Sequence, residues 1–167
     1  WHPEFFQRLY AALNVPEDIR EFGKVYTPVE IASYILTELG YGSRRALSSC
    51  LLDPAAGCGI FVLEAGRRII QAAGRGSETR DLVTANLAGL DNDLTAVCLT
   101  KIGLGLLLSR EGHKLTAETN FQIHFTDTLD SPREELFPAE RGVGSDIKLQ
   151  RGRYEEGFDF VVGNPPY

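Results

Sequence analysis

Four times in this chain a short apolar run breaks off where a turn begins. Cys50-Leu51-Leu52 ends at Asp53, Asn86 to Leu90 ends at Asp91, and Phe121 to Phe125 ends near Asp127. The fourth run, Phe158 to Val162, ends in Gly163-Asn164-Pro165-Pro166-Tyr167. Between the first and second runs, and again between the second and third, the apolar residues take helical spacing, from about Ile60 to Ala73 and from about Leu94 to Leu108. Strands alternating with helices predict a parallel α/β sheet. Ligands of such sheets bind outside the carboxyl ends of the strands, which is where the acids stand.

Upstream of the first strand the pattern is helical. Pro3 to about Leu13 spaces Phe6, Leu9, Tyr10 and Leu13 onto one face, and a second short helix is expected over Pro16 to Phe22, closed by Gly23. Next comes GKVYTPVEIASYILTELG. Thr27, Pro28 and Glu30 have the form of a capping box with proline at the first helical position. Val29, Ala32, Ile35, Leu36 and Leu39 share a face, and Gly40 is a natural stop. The polar stretch Asp130 to Gly157 reads as a surface loop.

Composition narrows the setting. The 167 residues are 43% hydrophobic and 24% charged, the proportions of a globular domain. No apolar run nears the ~18 residues of a membrane span, and no signal peptide opens the chain. Three cysteines without a CxxC pair and three scattered histidines predict no metal site. These features suit a soluble protein of a reducing compartment. Net charge is −6, and the longest basic clusters are the pairs Arg44-Arg45 and Arg67-Arg68. A compact nucleic-acid module is usually basic, so phosphate contacts, if this chain needs them, are expected from elsewhere. The sequence holds no methionine. Trp1 is therefore not a translation start, and the chain is expected to be a piece cut at both ends.

The turn after the first strand, LLDPAAGCGIF, sets Gly57 and Gly59 between strand and helix, where backbone can approach a ligand and helical N–H groups are unpaired. Val62 stands where the dinucleotide fingerprint needs its third glycine. Asp53, just ahead of the turn, suits a cationic ligand better than a pyrophosphate, so S-adenosylmethionine fits better than NAD. The same residues also read as a tight βα turn capped by an aspartate. Cys58, with no histidine near it in sequence, reads as a small turn residue rather than a nucleophile. Asp91, with Asp93 two residues on, has the position of an acid that accepts ribose hydroxyls. Its separation from the glycine turn exceeds the roughly 20 residues usual, which predicts an inserted loop or short helix around Gly74 to Asp81. Asp127 is placed to accept from an adenine amino group. Each acid alone reads sooner as a helix cap or a solvated surface charge; three in register at successive strand ends favour a site.

The most specific signal is Asn164-Pro165-Pro166-Tyr167. Two prolines keep the backbone extended and carry no N–H. The Asn164 side-chain oxygen and the Pro165 carbonyl are then acceptors for both hydrogens of an exocyclic amine. Tyr167 offers a face on which an extruded base can stack, worth about 1–3 kcal/mol.

With these motifs the chain resembles the amino-group (N6-adenine) DNA methyltransferases along nearly its whole length. GKVYTP (Gly23 to Pro28) looks like motif X, DPAAGCGIF (Asp53 to Phe61) like motif I and LAGLDND (Leu87 to Asp93) like motif II. FTD (Phe125 to Asp127) looks like motif III, and NPPY like catalytic motif IV. This motif order is that of the branch with type I modification subunits and type II and IIG restriction–modification enzymes. The resemblance implies a Rossmann-like methyltransferase fold with S-adenosylmethionine as cofactor. It divides the chain into an N-terminal helical segment with motif X (1–40) and the first part of the catalytic domain with motifs I to IV (41–167), lacking its C-terminal strands.

Carried over by position, it implies that Thr27 with Tyr26 and Pro28 meets the methionine end of the cofactor. The turn around Asp53, Pro54, Ala55, Gly57 and Gly59 lines the methionine part. Asp91 with Asn92 binds the ribose, and Asp127 with Thr128 the cofactor adenine. Asn164, Pro165, Pro166 and Tyr167 hold the target adenine. It further implies a bacterial or archaeal cytoplasmic enzyme acting on double-stranded DNA. Further strands and a target-recognition domain, or a specificity or restriction subunit, would complete it, and the piece alone would not methylate DNA efficiently. NPPY also occurs in RNA and protein-glutamine methyltransferases, and a non-catalytic cofactor-binding subunit is a further alternative.

Overall fold

The computed structural model describes residues 4–13, 26–76, 78–129 and 157–165. The expected helix Pro16–Phe22, the expected loop from Asp130 up to residue 156, and Pro166 and Tyr167 lie outside the described residues. Four parallel strands form one sheet: β1 (Leu51–Asp53), β2 (Leu87–Asp91), β3 (Gln122–Phe125) and β4 (Phe160–Val161), in spatial order β3-β2-β1-β4. Leu51 pairs with Leu87 on one side and Phe160 on the other, so the order reverses beside β1. The carboxyl ends of β1 and β4 therefore flank the crevice where α/β sheets bind ligands.

Six helices accompany the sheet among the described residues. They are α1 (Glu4–Leu13), α2 (Val29–Glu38), α3 (Ser43–Ser48), α4 (Ile60–Ala73), α5 (Thr79–Asn86) and α6 (Leu94–Arg110). Four match the sequence closely: α1, α2, α4 and α6 start within a residue of the expected positions. Helix α3 has no counterpart in the sequence reading, and α5 lies mostly beyond the segment where an insertion was expected. Both are short, and a tertiary contact joins them. The buried Asn86 amide donates to the Ala46 and Leu47 carbonyls, satisfying acceptors that the end of α3 leaves open.

The core follows from strand alternation. Leu51, Leu87 and Ile123 join the large cluster packed with the helices, while Cys50, Leu52, Ala88 and Leu90 form a second cluster. Helix α1 belongs to the large cluster through Phe6. A side chain at Gly103 of α6 would sit 3.1 Å from the Phe6 ring and 2.8 Å from Leu63, so the glycine makes room for α1 to lie on α4 and α6. Burying one such phenylalanine contributes about 2 kcal/mol. Leu13 and Leu39, expected on the apolar faces of α1 and α2, are instead exposed at the helix ends, beyond the reach of the core.

The capping box expected at Thr27 is not formed. Helix α2 begins at Val29, its N-cap is Pro28, and no side chain caps it. The Thr27 hydroxyl serves another partner, described below. Helix α2 is fastened from the side instead. Arg68 of α4 donates to the Ser33 carbonyl at 2.6 Å, to the Thr37 hydroxyl at 2.9 Å and to the Tyr41 carbonyl at 2.9 Å. Glu64 holds Arg67 and Arg68 in place. No helix among the described residues is long and apolar enough to cross a membrane.

Candidate functional site

A cleft of about 470 Å³ opens along the carboxyl edge of the sheet. That lies within the roughly 300–1,000 Å³ of small-molecule sites. Its floor is the turn from Asp53 to Gly59. Gly57 and Gly59 both adopt positive φ, 52° and 79°, which L side chains rarely take. Gly59 is doubly required, because a Cβ there would lie 2.5 Å from Thr100 Cγ2. Thr100 of α6 donates its hydroxyl to the Gly57 carbonyl at 3.0 Å, locking the turn against that helix.

Asp91 at the end of β2 holds the other wall. It accepts from the Gly57 N–H at 2.7 Å with one oxygen and from the Asp93 N–H at 2.9 Å with the other. These two bonds pin the glycine turn beside β2. Asp93 caps α6, accepting from the Thr95 and Ala96 N–H groups, and also accepts from the Tyr10 hydroxyl. Thr128 reaches from the β3 exit to the Pro54 carbonyl at 2.7 Å, and Asp127 accepts from the Leu129 N–H at 3.0 Å.

Asp53 is 1% exposed. It accepts from the Ala55 N–H at 3.1 Å. Burial raises its carboxyl to about 7, with Asp91 adding to the rise and the Ala55 N–H opposing it. The chain leaving β4 passes directly over it: a Cβ on Gly163 would come within 2.8 Å of its Oδ1. Strand β4 is held for this by Tyr41, edge-on to Phe160 with ring centres 5.2 Å apart, and by Val162, which donates to the Leu52 carbonyl. Its exit delivers Asn164 and Pro165 to the cleft. Asn164 Nδ2 donates to the Thr27 hydroxyl at 3.1 Å.

Of the residues the sequence singles out, Tyr26, Thr27, Asp53, Pro54, Ala55, Gly57, Asp91, Asn92, Asp127, Thr128, Asn164 and Pro165 all line this one cleft. Pro28 and Gly59 stand outside its lining, the first as the α2 cap and the second packed on Thr100. Gln7, Tyr10 and Leu129 line it without having been singled out for it. The signal was faint but present in α1, where the face expected to be apolar carries the Tyr10 hydroxyl and adjoins Gln7. Four aspartates line the cleft, and none of its described lining residues is lysine, arginine or histidine. Among the described residues no three His, Cys, Asp or Glu side chains are placed to hold a metal ion.

The chain matches the N-6 DNA Methylase family over residues 4–167. It is 29% identical over 161 residues to the type II methyltransferase M.PaeR7I of Pseudomonas aeruginosa, covering 93% of this chain and 25% of that protein. It thus spans about a quarter of the length of the curated relative it matches. A crystal structure of a modification subunit of a putative type I restriction enzyme from Vibrio vulnificus YJ016 shares the fold. The TM-score is 0.56 at 21% identity, over 96% of this chain and 28% of that one.

Proposed function

The chain belongs to the N-6 DNA methylase family, and on that premise we propose that its cleft serves methyl transfer from S-adenosylmethionine to the exocyclic N6 of an adenine in DNA, within a restriction–modification system. The observation that carries this reading is that the β4 exit brings Asn164 and Pro165 into the same cleft as Asp53 and Asp91. The chemistry of the lining fits the cofactor. A cleft edged by four carboxylates, with no basic residue in its described lining, attracts a cation and repels a pyrophosphate. S-adenosylmethionine supplies a sulfonium-activated methyl group.

The protein's own residues then bind and position. Asp91, at the end of β2, would take the ribose hydroxyls, and Asp127, after β3, the cofactor adenine amino group. The turn from Asp53 to Gly57 follows the methionine portion. The Asn164 side-chain oxygen and the Pro165 carbonyl accept the two hydrogens of the target amine, with Tyr167 as the stacking face. The adenine must leave the helical stack to reach them. No strong base is needed, because the nitrogen becomes acidic only once it carries the fourth substituent. Positioning and hydrogen bonding to the developing ammonium are the main protein contributions. With a net charge of −6, the chain leaves DNA phosphates to a specificity subunit or a target-recognition domain.

The test uses the intact protein that carries this chain, expressed in a host without adenine methylation, with N6-methyladenine mapped in the DNA. Modification at one sequence is expected. Asn164→Ala should lower it by about 10²-fold or more while cofactor affinity stays within a few-fold. Persistent methylation in Asn164→Ala, or labelling of RNA or protein in place of DNA, would overturn the reading.

A further inference from the structure

Three residues far apart in sequence form one chain of hydrogen bonds. Gln7 of α1 donates through Nε2 to the Thr27 carbonyl at 3.0 Å, and the Thr27 hydroxyl accepts from Asn164 Nδ2 at 3.1 Å, across 137 positions of sequence. Gln7 and Thr27 are both buried, and Asn164 is half-buried. Pro28 follows Thr27 with φ −59°, and a residue ahead of proline has few backbone conformations open to it. Thr27 is therefore fixed from behind by Gln7 and from the C-terminal side by the proline ring. Its hydroxyl oxygen is thereby held where it accepts from Asn164 Nδ2.

An asparagine amide has a donating end and an accepting end, and the two are nearly equal in size. For an exocyclic amine, which arrives with two N–H donors, only the oxygen end is complementary. An amide turned the other way sets donor against donor. With Nδ2 engaged by Thr27, Oδ1 is the end left for the amine. We propose that Thr27, seated by Gln7, is a positioning residue that holds Asn164 by its Nδ2 with Oδ1 left for the amine. The proposal rests on the amine substrate assigned above, and it gives α1 and the segment ahead of α2 a part in presenting the target rather than only in binding cofactor.

The two roles separate in kinetics. Thr27→Val keeps the shape and removes the hydroxyl. A positioning role predicts that kcat at saturating cofactor and DNA falls about tenfold or more, with the cofactor KM unchanged within about twofold. Thr27→Ser should recover most of the loss, and Gln7→Leu should give a smaller fall of about threefold. A second readout does not depend on turnover. In ¹⁵N-labelled intact protein the Asn164 side-chain amide, identified by its loss in Asn164→Ala, should be protected from solvent exchange in the wild type and Thr27→Ser, and unprotected in Thr27→Val.

An unchanged kcat in Thr27→Val, a raised cofactor KM with kcat intact, or an Asn164 amide indifferent to Thr27→Val would each overturn the proposal. If the wild type methylates no adenine while amide protection still depends on the Thr27 hydroxyl, the adenine reading falls and the orientation of Asn164 stands.

Discussion

Asp53 and Glu64 are equally hidden carboxylates, 1% and 2% exposed, in adjoining elements, and the chain treats them in opposite ways. Glu64 accepts from Arg67 at 2.6 and 2.7 Å and from Arg68 at 3.1 Å. Burial alone would raise its pKa, but these bonds outweigh burial and hold it below the ordinary range. Among the described contacts Asp53 has one backbone N–H and no cation, and burial takes it up to about 7. The difference marks their purposes. A charge that fastens helices is given its partners within the fold. The carboxylate that lines the cleft is given no cation among the described contacts, and perturbed groups of that kind collect at functional sites.

Breaking the satisfied carboxylate should give the largest effect on stability. Glu64→Ala strands Arg68, whose remaining contacts hold α2 and the Tyr41 carbonyl. Removing one partner of a buried pair typically costs about 3–5 kcal/mol, and those remaining contacts favour the lower end. Chemical denaturation measures it. A loss under 1 kcal/mol would mean that the Glu64 cluster is dispensable to the fold and that the contrast with Asp53 is empty.

Asp53→Asn sharpens the comparison from the other side, through pH. The folded state holds the Asp53 proton more tightly than the unfolded chain, from the ordinary 3.8 up to about 7. The stability it contributes is therefore complete below pH 3.8 and is lost as pH rises to about 7. Asp53→Asn should lack this decline, so the difference between mutant and wild-type unfolding free energies should grow in the mutant's favour across that window. Binding should run the other way. A cationic ligand prefers the ionised carboxylate, so wild-type affinity for S-adenosylmethionine should rise from pH 6 to 8. In Asp53→Asn it should be flat, and weaker by about tenfold at pH 8. A mutant with wild-type affinity and pH dependence would remove Asp53 from the cofactor site.

What could be read from the sequence follows the range of the interactions. Strand ends, the Gly57–Gly59 turn and the long helices α4 and α6 are written in local spacing. So is the assembly of twelve of the chosen residues at one cleft, because acids at the ends of neighbouring parallel strands must share an edge. The partners of single side chains are not local. Thr27 has the sequence of an N-cap, yet its hydroxyl meets Asn164. Arg67-Arg68 stands in the sequence only as a basic pair, and the acid both bind, Glu64, is identified by the fold. Helix α3 escaped, and α5 was expected only as a loop or short helix around Gly74 to Asp81, whereas what joins their ends is the distant Asn86 amide.

Asp91 and Asp93 put the comparison on its narrowest footing, two residues apart at one strand end. Asp93 lines the cleft, but both of its oxygens are occupied, by the first N–H groups of α6 and by Tyr10. By the Glu64 criterion it is structural. Asp91 also holds two N–H groups, but it stands against the glycine turn that forms the cleft floor. Asp93→Ala should cost about 1 kcal/mol of unfolding free energy, the worth of a helix cap. Asp91→Ala should act first on the cofactor, with about tenfold weaker binding. The pair is measured together by calorimetric titration and denaturation of both variants. If Asp93→Ala weakens cofactor binding more than Asp91→Ala does, occupied oxygens do not disqualify a carboxylate from the site, and the criterion drawn from Asp53 and Glu64 fails where it is most needed.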